Sequence, residues 1–335
     1  MMRQASWTSV ALVLLGVSRG VASGETAEPE TFGCESNPTG DPIGGGEGYR
    51  RILSGGDVVA KTSAEFLAAL GKGRAGQVVW VPRGVEIDLT GRSSVVIPGG
   101  VTIAGDRGAD ESPGARIFTR QRATCPLFAS GGEGIRLTGL RFEGPCASRE
   151  RIAEFSGFLR CSHYGPEIDN CEIYNWNIYG VGGRLGAANV RVHHCYIHHC
   201  QRSGYGYGVS LGECDASVIA NRFDWCRHHI ASSGTPGCAY EAAYNLVLPN
   251  ANGHYFDMHG GRDRGDGTNV AGDWMHVHHN TFRGKHRAVL VRGVPAQNAR
   301  IHHNWFAQPA KKSVVSGGNT RVYRNVYGPS KTLEE

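Results

Sequence analysis

The sequence predicts an all-β fold, a single-stranded right-handed parallel β-helix that a short helix closes at its N-terminal end. The main observation is a strand–turn–strand phrase that recurs along the chain at intervals of 21 to 35 residues. Periods of this size indicate a solenoid, in which each repeat buries its apolar face only by stacking on its neighbours. The 49 glycines and the scarcity of long amphipathic helical patterns also favour strands and turns.

Each copy of the phrase is an alternating strand, one turn residue and a second alternating strand. The turn residues are Cys195, Asn221, Asn245, Asn280, Asn304 and Asn325. Asn tolerates left-handed backbone geometry and bonds locally, so we expect it at the corner of each rung, with successive side chains bonded to one another. Alternation then directs Val277, Ile301 and Val322 into the interior of the coil.

A helix is predicted at the start of the repeats. Thr62 to Glu65 reads TSAE, which fits a capping box, and the apolar residues Phe66, Leu67 and Leu70 follow at helical spacing. Short alternating strands come directly after this segment. We therefore predict one parallel β-helix domain over residues 51–329, with this helix covering its first rungs.

The segments on either side of the domain are interpreted from composition. Residues 24–50 are rich in Gly, Pro and acidic residues and are interpreted as a leader that lies on the surface of the domain, with Cys34 as its candidate anchor. Residues 330–335 are predicted to be a disordered C-terminal tail. Neither segment carries the alternation of a rung.

The first 23 residues are typical of a secretory signal peptide. Arg3 gives a positive start, an apolar run from Val10 to Val17 is too short to span a bilayer, and small residues follow at 21–23. We expect a secreted or periplasmic monomer with no membrane contact after cleavage. The formal net charge of +5 is too small to indicate a nucleic-acid partner.

The ten cysteines recur with the same period as the strands. The cysteines that share positions of the repeat are Cys171 with Cys195, Cys200 with Cys226, and Cys214 with Cys238. Stacked residues would bring their Cα atoms to about 4.8 Å, inside the disulfide range. Because export supplies an oxidising environment, we predict disulfides for the last two pairs. A reduced internal ladder is the alternative.

The candidate site is the segment HYFDMHG, which begins at His254. Asp257 and His259 lie two residues apart and project from the same face of a strand, whereas Phe256 and Met258 point inwards. A carboxylate and an imidazole on one solvent-facing surface can exchange or orient protons. A surface salt bridge is the alternative interpretation of the pair.

Two resemblances accompany these residues. The order of helix, strands and repeats from residue 50 to residue 330 resembles the pectate lyase-like superfamily, which implies the β-helix fold. The segment HYFDMHG is similar to the YGFDPHD signature of mannuronan C5-epimerases, with His254 at the Tyr position of the signature and Gly260 at its final Asp position. Arg292-Gly293 is similar to the Arg-Gly that these epimerases place in the following rung.

The resemblance implies proton abstraction from C5 of a uronate in an acidic polysaccharide. His259 and His254 would transfer the proton, with Asp257 as the group that orients them. Arg292 would neutralise the uronate carboxylate and stabilise the enolate-like state. Elimination of the C4 oxygen gives a lyase and reprotonation from the opposite face gives an epimerase, and both stay open. The residues expected to bind the polysaccharide are Tyr255, Arg227, His228, Arg262, Lys285 and Arg287.

Other functions on the same fold stay open. A glycoside hydrolase would need a second carboxylate at a suitable distance from Asp257, for which the candidates are Asp263, Asp266, Asp273 and Glu241. A non-catalytic polysaccharide-binding or structural solenoid would need none. The sequence establishes no cofactor, but the loop that carries Asp263 and Asp266 is a candidate for Ca²⁺ binding through its oxygens. The repeated HHN histidines are expected to support turns or an outer polar face.

Overall fold

The computed structural model of the chain describes residues 30–334, so the predicted signal peptide lies outside the described residues. Residues from Thr31 onward form one compact unit with three sheets, whose neighbouring strands pair in parallel except at the C-terminal end. From the second strand onward, each turn of the chain adds one strand to each sheet in a constant order. This arrangement confirms the prediction of a mostly β, β-helix-like solenoid.

The sheets are called A, B and C in the order in which the chain visits them. Sheet A contains β1 (Val58–Val59), β2 (Val78–Trp80), β5 (Thr102–Ala104), β8 (Arg136–Thr138), β11 (Glu167–Asp169), β14 (Val190–His193), β17 (Asp215–Ile219), β20 (Ala239–Ala243), β23 (Trp274–His278), β26 (Asn298–His302) and β29 (Thr320–Tyr323). Sheet B contains β3 (Glu86–Asp88), β6 (Arg116–Phe118), β9 (Arg141–Glu143), β12 (Glu172–Tyr174), β15 (Tyr196–His198), β18 (Arg222–Asp224), β21 (Leu246–Val247), β24 (Thr281–Phe282), β27 (Trp305–Phe306), β30 (Asn325–Tyr327) and β31 (Thr332–Glu334). Sheet C contains β4 (Val95–Ile97), β7 (Phe128–Ser130), β10 (Gly157–Cys161), β13 (Tyr179–Gly183), β16 (Tyr207–Leu211), β19 (His228–Ser232), β22 (Phe256–Met258), β25 (Val289–Val291) and β28 (Val314–Val315).

The helices are few and short. They are α1 (Ser63–Gly71), α2 (Gly261–Arg264), α3 (Ala310–Ser313) and two 3-10 turns at Cys34–Ser36 and Ala109–Glu111. Over residues 30–334, no helix has the length and apolar character needed to cross a membrane.

The interior of the coil consists of columns of apolar side chains. In sheet A, Val277 pairs with Ile301 and Ile301 with Val322, and the first two are fully buried as predicted. Val322 is partly buried because it lies near the C-terminal end of the column. Phe256 occupies an equivalent, fully buried position in sheet C. Each such side chain contributes about 1.5–3 kcal/mol by leaving water, so the stacking of rungs is driven mainly by this interior.

Helix α1 covers the open N-terminal end of the coil. The Thr62 hydroxyl accepts a hydrogen bond from the Glu65 N–H at 3.2 Å, and the Glu65 carboxylate accepts one from the Thr62 N–H at 3.0 Å, which confirms the predicted capping box. Phe66 and Leu70 are buried, whereas Leu67 is only partly covered. The helix therefore shields the first rungs from water.

A column of buried asparagines fixes the stacking of the rungs at the corner between sheets A and B. The Asn221 N–H donates to Oδ1 of Asn245 at 2.9 Å, and the Asn245 N–H donates to Oδ1 of Asn280 at 3.0 Å. The same acceptors also bond the side-chain Nδ2 of the preceding Asn, at 3.1 and 2.9 Å. Asn304 and Asn325 continue the column in the same way. The predicted Asn ladder is confirmed.

The left-handed residue at each corner is the one before the ladder Asn. Ala220, Tyr244 and His279 have φ values of 52°, 57° and 51°, whereas the ladder asparagines do not have positive φ. The prediction that Asn itself adopts the left-handed geometry is therefore wrong. The residue before it makes the turn, so the Asn amide is left free to face the neighbouring rung, and the ladder bonds offset the strain of the turn.

Three histidine pairs support corners between sheets A and B, and a fourth supports the turn after strand β15 of sheet B. The Nδ1···Nδ1 distances are 2.9 Å for His193–His194, 2.7 Å for His198–His199, 2.9 Å for His278–His279 and 2.7 Å for His302–His303. Such a contact needs one nitrogen that carries a proton and one that does not. Burial, followed by the charge of the partner His193, lowers the pKa of His194 to about 4, and burial followed by His278 lowers that of His302 to about 4. His194 and His302 are therefore neutral at neutral pH.

The predicted disulfides are not formed. All ten cysteines are free thiols, although Cys200 lies over Cys226 and Cys214 lies over Cys238 in the strand register. In-register parallel strands hold equivalent side chains with parallel Cα–Cβ bonds at the strand spacing of about 4.8 Å. A disulfide needs its two Cβ atoms at about 3.8 Å, so the stack holds each pair in contact without the geometry for an S–S bond.

The leader from Thr31 to residue 50 runs across the corners of the coil. The Gly33 N–H donates to the His303 carbonyl at 2.9 Å, and the Tyr49 hydroxyl donates to Asp169 at 2.7 Å. Cys34 is the predicted anchor, but it is a buried free thiol whose N–H donates to the Thr281 hydroxyl at 2.9 Å. Hydrogen bonds therefore hold the leader, and Cys34 forms no disulfide.

The C-terminal end is ordered through residue 334, contrary to the predicted disordered tail. After a turn at Gly328, strand β31 pairs antiparallel with β30, with Val326 opposite Leu333. An unpaired strand edge exposes a row of N–H and C=O groups, so the returning strand satisfies the last edge of sheet B. Composition alone does not reveal such a local pairing.

We expect Asn280→Ala to lower the free energy of unfolding by about 2–4 kcal/mol, because it leaves the N–H and the amide of Asn245 without their acceptor in a dry interior. The measurement is the urea midpoint at neutral pH. The matched control is Asn298→Ala, whose half-buried side chain bonds only the ring of His276 and should cost less than about 1 kcal/mol. Equal losses for the two variants would contradict a structural role of the ladder.

Stability should fall as the pH decreases from about 6.5 to about 4. In that window the unfolded chain protonates His194 and His302 while the folded chain does not, so the unfolded state binds more protons and is favoured by acid. The measurement is the urea midpoint as a function of pH. His302→Gln should make the dependence shallower, whereas His163→Gln, outside the histidine pairs, should leave it unchanged. An equally steep dependence in His302→Gln would disprove this origin.

Candidate functional site

Strand β22 in sheet C positions the candidate carboxylate. Phe256 and Met258 point into the core and are fully buried, and Asp257 between them points to the outer face, as strand alternation predicts. The Asp257 side chain is nevertheless fully inaccessible, because other polar side chains cover it. Its environment therefore decides what it can do.

Four side chains form a compact carboxylate–histidine cluster, consisting of Asp257, His254, His259 and Arg292. One carboxylate oxygen of Asp257, Oδ2, lies 3.0 Å from Nε2 of His254, 2.9 Å from Nε2 of His259 and 2.7 Å from Nη2 of Arg292. The other oxygen, Oδ1, accepts a hydrogen bond from Nε of Arg292 at 3.0 Å. The cluster thus surrounds one buried negative charge with three nitrogen-bearing groups.

Strand register and the following helix bring Arg292 into the cluster. Met258 pairs with Val291, so His259 and Arg292 are neighbours on adjacent rungs. The third nitrogen of the guanidinium, Nη1, binds Asp263 of α2 at 2.9 Å. Arg292 therefore contacts a protein carboxylate through every one of its nitrogens, and it serves mainly to hold Asp257.

Glycine at position 260 is required by this close packing. A Cβ at Gly260 would clash with the carbonyl oxygen of Arg292 on the next rung. The mannuronan C5-epimerase signature has an Asp at the corresponding position, so this chain cannot carry the same side chain with the same backbone path. The carboxylate that approaches the guanidinium comes instead from Asp263.

The electrostatics of the cluster keep Asp257 ionised. Burial alone would raise the pKa of Asp257, but the contacts from His254 and His259 outweigh burial and hold the pKa well below the ordinary carboxyl value. The Nε2 atoms of both rings are buried and face Oδ2, although neither ring presents its N–H in line with that oxygen. The Nδ1 atoms have no hydrogen-bond partner among the described residues, so they are the ring nitrogens available for proton transfer.

A groove of about 330 Å³ runs over the outer face of sheet C and ends at His259. Its floor is made of small residues such as Ser210 and Ala231, which pair with each other and with Asp257 across β16, β19 and β22. Tyr207 forms one wall, and Arg184 lies at the far side. The full lining is Arg184, Tyr207, Ser210, Leu211, Gly212, Ala231, Ser232, Ser233 and His259.

Sequence reasoning missed Tyr207 and Arg184. Both belong to strands or turns of sheet C, where the Asn-centred phrase does not occur. The available signal was the segment YGVSL from Tyr207. It pairs in register with HHIAS from His228, which pairs in turn with the candidate strand, so YGVSL lies two rungs before the candidate segment. A register built for all three sheets would have placed both side chains on the candidate face.

Two of the predicted substrate-binding residues are buried and do not face the groove. Tyr255 is fully buried, lies between the rings of His229 and Phe282, and accepts a hydrogen bond from the His286 N–H at 3.2 Å. His228 is 1% exposed, and its ring stacks on His254 at 3.8 Å. Both rings are therefore covered by neighbouring side chains in this structure, and direct contact of either ring with a substrate stays a prediction.

His228 has instead a supporting role. Its Nδ1 lies 2.6 Å from the carbonyl oxygen of His254 and donates to it, and its ring packs against the His254 ring. Burial, followed by the charges of His254 and Arg227, lowers the pKa of His228 to about 3, so it is neutral. A neutral ring can lie against the cluster without adding charge, and it fixes the orientation of His254.

The remaining predicted substrate-binding residues keep accessible cationic groups. Arg262, Lys285 and Arg287 are exposed, and Arg227 is half-buried beside the ring of Tyr207 at 5.9 Å. Arg287 lies at the position equivalent to His254 on the next rung, because Phe256 of β22 pairs with Val289 of β25 two residues further along each segment. Among the described residues, no carboxylate lies within ion-pair distance of these four cations. They are therefore available to an anionic ligand.

Metal binding has one candidate set at this site. His228, His254 and Asp257 place potential ligand atoms within 4.8 Å of one another, and imidazole nitrogens suit a transition metal better than Ca²⁺. The two rings stack face to face, so their in-plane lone pairs do not converge, and Arg292 already contacts the shared carboxylate oxygen. The predicted Ca²⁺ loop has its carboxylates engaged as well, with Asp263 on Arg292 and Asp266 on Arg264 and Thr268.

Comparison with known proteins shows the fold. The sequence matches no protein-family model, and a search of curated proteins finds no similar sequence. Among solved structures, the chain is similar to the alginate lyase from Paenibacillus sp. str. FPU-7, with a TM-score of 0.51 and 16% identity over 81% of this chain and 97% of that chain. At this identity the similarity concerns the architecture of stacked parallel sheets.

Proposed function

We propose that this protein is a lyase that acts on an acidic uronate polysaccharide by removing the proton from C5. The observation that carries the proposal is the carboxylate–histidine cluster at the end of the groove, where Nε2 of two imidazoles lies within 3.0 Å of buried Asp257 and each Nδ1 has no hydrogen-bond partner among the described residues. An imidazole placed against a carboxylate can act as a general base. The fold neighbour is an alginate lyase, so alginate is the first polymer to test.

The reaction can be written from the residues of the cluster. Nδ1 of His259, which lines the groove, accepts the C5 proton as the C5–H bond breaks. The electron pair delocalises into the uronate carboxylate as an enolate, and then forms the C4–C5 double bond as the bond from C4 to the glycosidic oxygen breaks. Nδ1–H of a protonated His254 donates the proton that this oxygen needs, so protons and electrons balance.

In this proposal, a cation other than Arg292 neutralises the carboxylate of the substrate. Arg292 is occupied by Asp257 and Asp263, so its main effect is to hold Asp257 in place. Arg287 and Arg227 are free of carboxylate partners within the described chain and lie in the rungs on either side of β22. Either guanidinium can approach the uronate carboxylate and stabilise the enolate charge.

Epimerisation is the second candidate, and the match of Phe256, Asp257 and His259 to the mannuronan C5-epimerase signature favours it. Both reactions start with the same proton abstraction. An epimerase returns a proton to the opposite face of C5, which needs a donor across the sugar ring from His259. Because His254 and His259 contact the same oxygen of Asp257, they lie on one side of the sugar, and this arrangement favours elimination.

Hydrolysis is less well supported by the carboxylates. Asp257 is fully buried and Asp263 binds the same guanidinium, so neither is free to act as acid or nucleophile. Glu241 lies in sheet A, on another face of the coil, where it binds His278. Asp266 is engaged by Arg264 and Thr268.

The cellular setting and the coil handedness remain part of the proposal. The signal-like segment 1–23 supports export, which would bring the protein to an extracellular or periplasmic polysaccharide. Parallel strands joined by crossovers are right-handed in almost all known sheets, which supports a right-handed coil.

Incubation with alginate should raise the ultraviolet absorbance of unsaturated uronate, and His259→Ala should lower kcat by about 10²–10⁴ because the base is removed. His276→Ala, a half-buried histidine of sheet A, is the control and should keep full activity. Exchange of the C5 hydrogen with solvent without chain cleavage would assign the epimerase instead. Pectate and glycosaminoglycans follow if alginate is inert, and absence of both signals on all these polymers would refute the proposal.

Asp257→Asn should retain the shape of the cluster but lower kcat by about 10²–10⁴, because the neutral amide no longer orients both histidines. Asp263→Asn removes only the outer contact of Arg292 and should change kcat less than about tenfold. The comparison uses initial rates at saturating polymer. Full activity of Asp257→Asn would show that proton transfer does not depend on this carboxylate.

A further inference from the structure

A run of aromatic rings leads away from the carboxylate–histidine cluster along one edge of sheet C. His254 stacks on His228 at 3.8 Å, and His228 stacks on Tyr207 at 5.7 Å with the ring planes 11° apart. Tyr207 lies 6.3 Å from Tyr205, and Tyr205 lies 5.7 Å from Phe155. The rings therefore form one continuous path from the cluster to the outer surface.

The far end of this path is open to solvent. Phe155 is 45% exposed and Tyr205 is 40% exposed, and the two rings are in edge-to-face contact. Single exposed apolar side chains are common, but two exposed aromatic rings in contact form a surface suited to a ligand. The apolar C–H face of a sugar ring packs on such rings.

Across residues 30–334, the cations beside the path have no acidic partner. The Arg202 guanidinium lies 4.9 Å from the centre of the Phe155 ring and 5.2 Å from that of Tyr205, and Arg227 lies 5.9 Å from that of Tyr207. Arg202 is 4% exposed, and its Nε and Nη1 have no hydrogen-bond partner within residues 30–334. A buried guanidinium without a counter-ion is costly, so an anion that arrives from outside would offset that cost.

We propose that Phe155 and Tyr205 form a platform that binds an acidic polysaccharide by stacking its sugar rings, with Arg202 and Arg227 attracting the carboxylates. The inference rests on the proposed function, because the platform holds further sugar units of the same polysaccharide. Tyr207 lies two strands from β22, which is about 10 Å at the strand spacing. The platform therefore contacts sugars beyond the one at the cluster, and it sets a preference for long chains.

The first test is kinetic and uses alginate oligosaccharides of increasing length. Tyr205→Ala and Phe155→Ala should each raise KM for long chains by about tenfold, whereas kcat and KM for the shortest cleaved oligosaccharide stay unchanged. The matched control is Tyr164→Ala. Tyr164 is 54% exposed and lies at the opposite end of strand β10 from Phe155. A KM increase that is the same for all lengths would overturn the platform.

The second test is independent of turnover. Calorimetric titration of long alginate oligosaccharides into His259→Ala should show binding that weakens about tenfold when Tyr205→Ala or Phe155→Ala is added, and does not weaken with Tyr164→Ala. Uncharged oligosaccharides of equal length should bind more weakly than the uronates. Ring-dependent binding, together with no turnover of any tested polymer by the unsubstituted protein, would reject the proposed reaction and keep the platform. Absence of binding, or binding insensitive to both substitutions, would overturn the platform whether or not the protein is active.

Discussion

The hydrogen-bonded stack of buried Asn side chains is the constraint on which the rest of the structure depends. Each ladder amide accepts two bonds from a neighbouring rung, so a shift of one residue would leave several polar groups unpaired in a dry interior. Because strand alternation has a period of two, such a shift would also turn the apolar columns outward. The ladder lies at the A–B corner of the rungs from Asn221 to Asn325, and it sets the height of these rungs and hence the alignment of the sheet C strands that belong to them.

The carboxylate–histidine cluster is a direct product of that alignment. His259 and Arg292 are far apart in sequence and meet because β22 and β25 are in register. The charge of Asp257 is removed from water, and the energetic cost is met by one guanidinium and two imidazoles. A site of this kind is rigid because no member can move without leaving a buried charge unpaired. The groove beside it is formed by backbone and small side chains, which leave room for a bulky polymer.

Sequence reasoning was most informative where the signal is local or repeats. The Asn ladder and the capping box at Thr62 were predictable because each needs only a short segment. Alternation along one strand was enough to place Asp257 outside and Phe256 inside. The burial of Tyr255 was not predictable, since it depends on a bend just before β22. The prediction of disulfides was wrong because shared rung positions keep the Cα–Cβ bonds parallel at the strand spacing, whereas a disulfide needs its two Cβ atoms closer together.

The leader has a consequence for the order in which the molecule assembles. Cys34 contacts Thr281 across 247 residues of chain, and Gly33 reaches the carbonyl of His303. The surface that receives the N-terminal segment is thus completed only when the last rungs are in place. Contacts of such long range are entropically costly to form early. Docking of the leader is therefore a late event of folding, and it fastens the first synthesised part of the domain to the part synthesised last.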